Sequence, residues 1–142
     1  MAAGKFGSSS VEIHLDDGPG GTLRDITAYV TSIGGVKVSQ ITEKSNPFGT
    51  SHEENTPVGM QHVDDITIEG YYDTTATTGP HVVMGTPDDD PQDATRTFTF
   101  SPGDSKTFTM ECRLVDYSVI ATNGNLTKYQ STIRQAGAGA WA

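Results

Sequence analysis

Residues 108–114 read Phe-Thr-Met-Glu-Cys-Arg-Leu, and this stretch decides the class of fold. Apolar and polar side chains alternate along it, which is the pattern of a strand with one buried face. The alternation predicts a long strand over residues 106–121. Asn123-Gly124 follows, and this dipeptide is the strongest short signal for a tight hairpin turn. We therefore expect the chain to return as an antiparallel strand over residues 126–135.

The same alternation continues through the rest of the chain, so the fold is expected to be mainly β. Strands are predicted for residues 11–15, 65–72 and 94–100, and for a segment near residues 33–43 that a short turn precedes. Ser101-Pro102-Gly103-Asp104 has Pro and Gly at favoured turn positions. A single helical turn fits residues 80–85.

Three segments break the alternation and are expected to lie outside the sheets. Residues 44–63 contain Pro and Gly at intervals that argue against one continuous element, so a loop of roughly twenty residues is predicted. Residues 1–8 are expected to form an N-terminal arm. Residues 136–142 are expected to form a C-terminal arm without structure of its own, in which Trp141 either docks or belongs to a frayed terminus.

The composition is that of one domain with few apolar residues. The chain has 142 residues, of which 34% are hydrophobic, with 16 Gly and 7 Pro. Part of the burial is therefore expected to occur between subunits. The formal charge of −9 argues against binding a phosphate backbone or an anionic membrane. The acidity is typical either of ordinary solubility or of a surface that stays near nucleic acid without adhering to it.

No pattern in the sequence indicates catalysis, a metal or a cofactor. The single cysteine, Cys112, occupies an apolar position of the alternating strand, where a buried side chain is expected. The acidic run Asp88–Asp90 with Asp93 could chelate calcium, but it lacks the Gly and terminal Glu of an EF-hand loop, which favours a solvated loop. Two carboxylates from distant strands could still form a glycosidase pair. We nevertheless expect a protein that is not an enzyme.

The order of features along the chain is informative in itself. The segments that carry it are residues 25–33 (Asp-Ile-Thr-Ala-Tyr-Val-Thr-Ser-Ile), a strand ending in Thr42 and Phe48-Gly49, Pro57-Val58-Gly59, residues 65–73 (Asp-Ile-Thr-Ile-Glu-Gly-Tyr-Tyr-Asp) and residues 129–137 (Tyr-Gln-Ser-Thr-Ile-Arg-Gln-Ala-Gly). This succession, from about residue 9 to residue 137, resembles the major tail tube proteins of long, non-contractile-tailed bacteriophages.

The resemblance implies a two-sheet antiparallel β-sandwich or partial barrel with a short flanking helix. Such subunits would close into hexameric rings, and the rings would stack into a tube around a negatively charged channel for DNA. The loop 44–63 would reach the adjacent ring. Its candidate contact residues are Pro47, Phe48, Glu53, Glu54 and Pro57.

The resemblance also implies partners and a location. The partners would be further copies of the chain, a tape measure protein, tail-end proteins, and DNA that passes through the channel without specific binding. No membrane would be involved. The protein would belong to the virion and would lie in the host cytoplasm during assembly.

Candidate channel-lining residues lie on the polar faces of two predicted strands. Asp65, Thr67 and Glu69 alternate with isoleucines, and Glu111 and Arg113 form the matching face of the long strand. The alternative is that both faces point outward to solvent.

Two other functions remain open at this stage. One is a related tail or secretion-tube component, such as a tail terminator, a distal tail protein or the inner tube of a contractile machine. The other is a carbohydrate-binding β-sandwich in which Trp141, Tyr71 and Tyr72 stack on sugars, although adjacent tyrosines on opposite faces of a strand form a poor platform.

Overall fold

The computed structural model describes residues 7, 10–87, 94–103 and 105–142. The strands are β1 (Glu12–Asp16), β2 (Leu23–Asp25), β3 (Ser32–Ile33), β4 (Val38–Lys44), β5 (Asn55–Val63), β6 (Ile66–Tyr71), β7 (Arg96–Ser101), β8 (Phe108–Ile120) and β9 (Lys128–Trp141). One short helix, α1, spans Pro80–Met84, and a 3-10 turn spans Thr27–Tyr29. The acidic run 88–93 and most of the expected N-terminal arm lie outside the described residues.

Within the described residues, seven strands form one antiparallel sheet in the order β2-β1-β7-β8-β9-β6-β3, and β4 and β5 form a separate pair. The segment between β2 and β3 draws the two edges of the large sheet together. Ile26 N donates to Ile13 O of β1 at 3.0 Å, and Thr31 N donates to Glu69 O of β6 at 2.8 Å. The large sheet is therefore curled into a partial barrel, which confirms the expected mainly β fold with a second, smaller sheet.

The apolar core fills the inner face of the curled sheet. Its members come from six strands, the 3-10 turn region and α1, and include Ile13, Leu15, Ile26, Val63, Ile66, Ile68, Val83, Met84, Phe98, Phe108, Met110, Cys112, Leu114, Tyr129 and Ile133. The helix α1 was expected at this position. It covers the inner face with Val83 and Met84, while Val82 remains exposed. No helix in the described part of the chain combines the length and the apolar character needed to cross a bilayer.

A buried arginine ties α1 to the sheet. Arg96, at the start of β7, is 2% exposed, and its Nη1 donates to Val83 O at 2.7 Å and to Asp16 O at 3.3 Å. The guanidinium thus donates to carbonyls of both α1 and β1. Its several N–H donors in a fixed planar arrangement allow it to do so. The alternation places Arg96 on the same face of β7 as Phe98 and Phe100, but it does not show which carbonyls the guanidinium meets.

The predicted loop 44–63 is wrong over its second half, because residues 55–63 form β5 and pair with β4. Two features reconcile Pro57 and Gly59 with a strand. β5 belongs to a two-stranded sheet, so it is an edge strand, where proline is tolerated. Gly59 has φ +81° within a bulge opposite Ile41, a conformation that glycine adopts without strain.

The predicted unstructured arm 136–142 is also wrong, because β9 continues to Trp141. Its small residues are explained by packing against β8. A Cβ on Gly139 would lie 2.6 Å from Phe108 Cζ, so glycine is required where the two strands meet. The strand expected at 33–43 is divided into β3 and β4, and β2 was not anticipated.

We expect Arg96→Met to lower the free energy of unfolding by about 2–3 kcal/mol, because Val83 O and Asp16 O would lose a donor inside the core. Urea unfolding followed by circular dichroism measures this change. The matched control is Arg24→Met, which removes a half-exposed pair with Asp17 and should change stability by about 0.5 kcal/mol or less. Equal effects of the two substitutions would contradict the assigned role of Arg96.

Candidate functional site

Two surfaces of the molecule stand out. The first is the polar face, defined as the side of the seven-stranded sheet that points away from the core. The second is the hairpin, defined as residues 38–63, which contains β4, β5 and the tip at residues 45–54. The expected channel-lining residues lie on the polar face, and the expected inter-ring residues lie on the hairpin.

The polar face contains all five residues proposed from the alternation. Thr67 and Glu69 of β6 lie opposite Thr132 and Gln130 of β9, and Asp65 directly precedes β6. On β8, Glu111 lies opposite Thr97 and Arg113 lies opposite Arg134. Asp65, Glu69 and Glu111 are exposed, whereas Thr67 and Arg113 are partly buried. The structure thus gathers these residues on one surface, which the strand pattern alone could not establish.

Arg134 organises the centre of this face. Its Nη2 lies 2.9 Å from Asp65 Oδ2, and its Nε donates to Asp65 Oδ1 at 3.1 Å. The hydrogen bonds from the guanidinium hold the pKa of Asp65 below its usual value, and the same contact raises the pKa of Arg134. Arg134 was not among the sequence-based candidates. Because Arg134 follows the buried Ile133, the alternation could have placed Arg134 on the polar face. It could not have identified Asp65 as the partner.

The remaining candidates have separate partners. Thr97 Oγ1 donates to Glu111 Oε2 at 2.7 Å, and Arg113 Nη1 donates to Ala94 O at 2.9 Å. Among the described residues of the polar face, the charged side chains are Glu12, Asp25, Asp65, Glu69, Glu111 and Asp116 against Arg113, Lys128 and Arg134. Six carboxylates against three cations give this face a formal charge of −3.

The hairpin is almost entirely exposed, although it is well ordered by its own hydrogen bonds. Ser45 N donates to Glu54 O at 3.0 Å, and Glu54 N donates to Asn46 Oδ1 at 2.6 Å. Lys44 Nζ lies 3.0 Å from Glu53 Oε1. A two-stranded hairpin is at best marginally stable in water by itself. Packing against another surface would therefore stabilise it.

The hairpin carries exposed apolar side chains along its whole length. They are Val38, Ile41, Phe48, Val58 and Met60, and Phe48 at the tip is fully exposed. Of the five residues expected to contact a neighbouring ring, Pro47, Phe48, Glu53 and Glu54 lie in the tip and Pro57 lies in β5. Exposed apolar surface of this kind is typical of an interaction site.

Two glutamines fix the base of the hairpin to the large sheet. Gln61 Nε2 donates to Gly139 O at 2.7 Å, and Gln61 Oε1 accepts from Gly139 N at 2.9 Å. Gln135 completes the contact, since its Oε1 accepts from Val63 N at 2.9 Å and its Nε2 donates to Gln61 Oε1 at 3.1 Å. The Gln61 amide thus occupies the place of a partner strand at the edge of β9. Sequence reasoning missed this contact because 78 residues separate its partners.

The proposed aromatic platform for sugars is not assembled. Trp141 packs against Phe108 and Phe100, with ring centroids 5.3 Å and 6.5 Å apart, at the last residue of β9. Tyr71 pairs with Lys128 at the first residue of β9, so it lies at the opposite end of the sheet. Tyr72 stacks edge-on against His81 instead.

The described residues show no cluster of three or more His, Cys, Asp or Glu side chains that could hold a metal ion. Cys112 is a buried free thiol on the inner face of β8. Of the histidines that have acidic neighbours, His52 and His62 are exposed, whereas His14 beside Asp25 is partly buried. The cysteine is thus a core residue, and the histidines form surface ion pairs of an ordinary kind.

No protein-family model and no curated protein matches this sequence. Solved structures do match. One chain in the tail of an empty gene transfer agent particle, refined with C6 symmetry, has a TM-score of 0.76 and 13% identity over 97% of this chain and 99% of that chain. The fold is shared from end to end. A chain of the native gene transfer agent virion has a TM-score of 0.75 and 12% identity over the same shares.

Contractile machines provide further matches. A chain in the six-fold symmetrised baseplate of the anti-feeding prophage has a TM-score of 0.75 and 8% identity, over 100% of this chain and 97% of that chain. A chain in the sheath/tube terminator structure of an extracellular contractile injection system has a TM-score of 0.67 and 10% identity, over 100% and 99%. At such low identities the likeness is one of fold.

We expect Gln61→Glu to loosen the hairpin, because a carboxylate can accept from Gly139 N but has no donor for Gly139 O. Amide hydrogen exchange in β4 and β5 should accelerate by a factor of about 5–30, which corresponds to about 1–2 kcal/mol. Gln40→Glu is the control, since Gln40 lies opposite Gln61 on the same hairpin and undergoes the same chemical change. Equal acceleration in both variants would show that charge, and not the Gly139 contact, is responsible.

Proposed function

We propose that this chain is a structural, self-assembling subunit of a phage-type tail tube, in which six-membered rings stack around a channel. The observation that carries this proposal is the end-to-end fold match to a chain in a tail with C6 symmetry, at a TM-score of 0.76. In this role the protein carries out no chemical reaction.

The exposed hairpin supports self-association. Its apolar side chains have no cover within the chain, and a neighbouring copy would provide it. Pairing of sheet edges between copies would also protect them from unspecific strand addition. On this proposal the hairpin tip, with Pro47, Phe48, Glu53 and Glu54, contacts the adjacent ring, and Pro57 supports it from β5.

The polar face is assigned to the channel. Asp65, Thr67, Glu69, Glu111 and Arg113 then line the lumen, and α1, which covers the opposite side of the sheet, lies on the outside of the tube. Like charges repel, so a face with a formal charge of −3 would keep DNA phosphates from adhering.

The more detailed assignments are part of the same proposal. DNA passes transiently without specific binding, and a tape measure protein and tail-end proteins contact the tube at its axis and its ends. The tail is of the long, non-contractile kind. The protein belongs to the virion and assembles in the host cytoplasm, with no membrane involved.

A tube terminator is the second candidate, because one matching chain comes from a sheath/tube terminator structure. Its TM-score of 0.67 is lower than the 0.75–0.76 of the gene transfer agent chains, which favours the tube. The two roles differ in one physical respect: terminator rings cap a tube, whereas tube rings stack on one another.

Negative-stain microscopy of the purified protein at rising concentration distinguishes these roles. We expect stacked rings or tubes with six-fold end views. Single rings that never stack would support the terminator, and a monomer at every concentration would contradict both. Analytical ultracentrifugation of the same samples supplies the mass of the smallest ring.

Labelling of assembled tubes tests the channel assignment. We expect Glu69→Cys to react with a small maleimide but to be protected from a bulky PEG-maleimide, because the latter would have to enter the lumen. Val82→Cys on α1 is the control and should react with both reagents. Equal reaction of the two variants with the bulky reagent in intact tubes would place Glu69 on the outer surface.

A further inference from the structure

An exposed apolar cluster lies at the end of the sheet where β8 turns into β9. We call it the end patch and define it as Tyr71, Ile120, Leu126 and Lys128. The apolar members are 47–68% exposed. Lys128 lies opposite both Ile120 and Tyr71, and its ammonium has no ion-pair partner within the described part of the chain.

A bulge in β8 creates this cluster. Residues 114 and 133 are opposite each other, but the next pair is Asp116 and Thr132, so Val115 is an extra residue on β8. An extra residue inverts the alternation of faces beyond it. Ile120 therefore lies on the same face as Lys128, and Tyr117 turns inward to stack on Tyr129 with ring centroids 6.0 Å apart.

The hairpin leaves the sheet at the opposite end. Gln61 bonds Gly139, whereas Val63 bonds Gln135, so β5 runs antiparallel to β9 and leads toward the Trp141 end. The end patch lies at the Lys128 end. One subunit thus has an apolar projection at one end and an apolar surface at the other, and Phe48 contacts nothing in its own chain that would bury it.

Two different surfaces that complement each other between copies make a heterologous contact, which closes into a ring or repeats along an axis according to its geometry. Because the hairpin and the end patch lie at opposite ends of the subunit, a contact between them repeats along an axis. The charges agree with such a pairing. The hairpin near the tip has Glu43, Glu53 and Glu54 against Lys44, and the end patch offers the cation Lys128. The acidic, apolar hairpin tip of a second copy therefore matches the end patch in both charge and apolar surface.

We propose that the end patch is the docking surface for the hairpin tip of a second copy in the next ring, with Phe48 packed against Ile120 and Leu126 and the acidic tip beside Lys128. This proposal rests on the tube proposed above and adds the receiving surface to it. The β8–β9 turn then determines stacking of rings, and closure of each ring uses other surfaces.

Substitution at the end patch separates stacking from ring formation. Leu126→Asn should leave rings intact but raise the concentration needed for tubes by about ten- to hundredfold, which corresponds to the lost burial of one leucine. Val82→Asn, at an exposed apolar residue of α1, should assemble as the wild type does. Tubes of Leu126→Asn at wild-type concentration would overturn the proposal.

Disulfide cross-linking tests the contact directly and leaves Phe48 and Leu126 in place. The variant Ser51→Cys with Asn125→Cys puts one thiol beside the tip and one beside the patch, and native Cys112 is buried. Under mild oxidation we expect a ladder of covalent oligomers from assembled tubes. Ser51→Cys with Val82→Cys is the control and should give no ladder.

The outcomes distinguish this inference from the function on which it rests. Tubes that form without a 51–125 ladder, or with a 51–82 ladder, overturn the docking surface and leave the tube intact. A wild-type chain that remains monomeric overturns both. A 51–125 ladder that forms when tubes are oxidised, and does not form when separated rings are oxidised, supports both.

Discussion

The long antiparallel ladder between β8 and β9 supports the rest of the fold, because the strands on one side of the sheet continue from β8 and those on the other side continue from β9. Two irregularities in this ladder shape the functional surfaces. Val115 inverts the faces of β8, and residues 136–138 form a wide bulge in β9. The edge of β9 at Gly139 is open to the Gln61 amide because β6 begins opposite Ile133, and the base of the hairpin is fixed there.

The hairpin is the part of the chain whose stability depends most on what surrounds it. Val63 is buried at its base, but from Asn55 to His62 every residue of β5 is exposed. Its own hydrogen bonds order the tip, yet the apolar side chains from Val38 to Met60 remain in water. Such a hairpin is expected to open locally at a low free energy in the free subunit and to become more stable on docking. The lean apolar composition of the chain has the same explanation.

Sequence alternation predicted the strands that have one buried and one wet face, because that environment is what a period of two encodes. β1, β6, β7 and β8 follow it closely, and the polar face could be named from Asp65, Thr67 and Glu69. The alternation failed to predict strands whose two faces lie in the same environment. β5 is exposed on both sides, and the end of β9 is built from Gly and Ala that fit against Phe108, so neither shows the pattern. Contacts such as Gln61 with Gly139 join distant residues and have no local signal.

The polar face is acidic on balance, but its charges are not uniform, and the distribution bears on how a duplex would move past it. Arg113 and Arg134 lie opposite each other at its centre, where Asp65 neutralises one guanidinium and the Ala94 carbonyl accepts from the other. Glu69 and Asp116 flank them without such cations of their own in the described residues. A phosphate passing over this face would meet weak repulsion interrupted by arginines already engaged elsewhere. Arginines that are already engaged would displace few counterions from DNA, so the face would neither bind the duplex tightly nor exclude it.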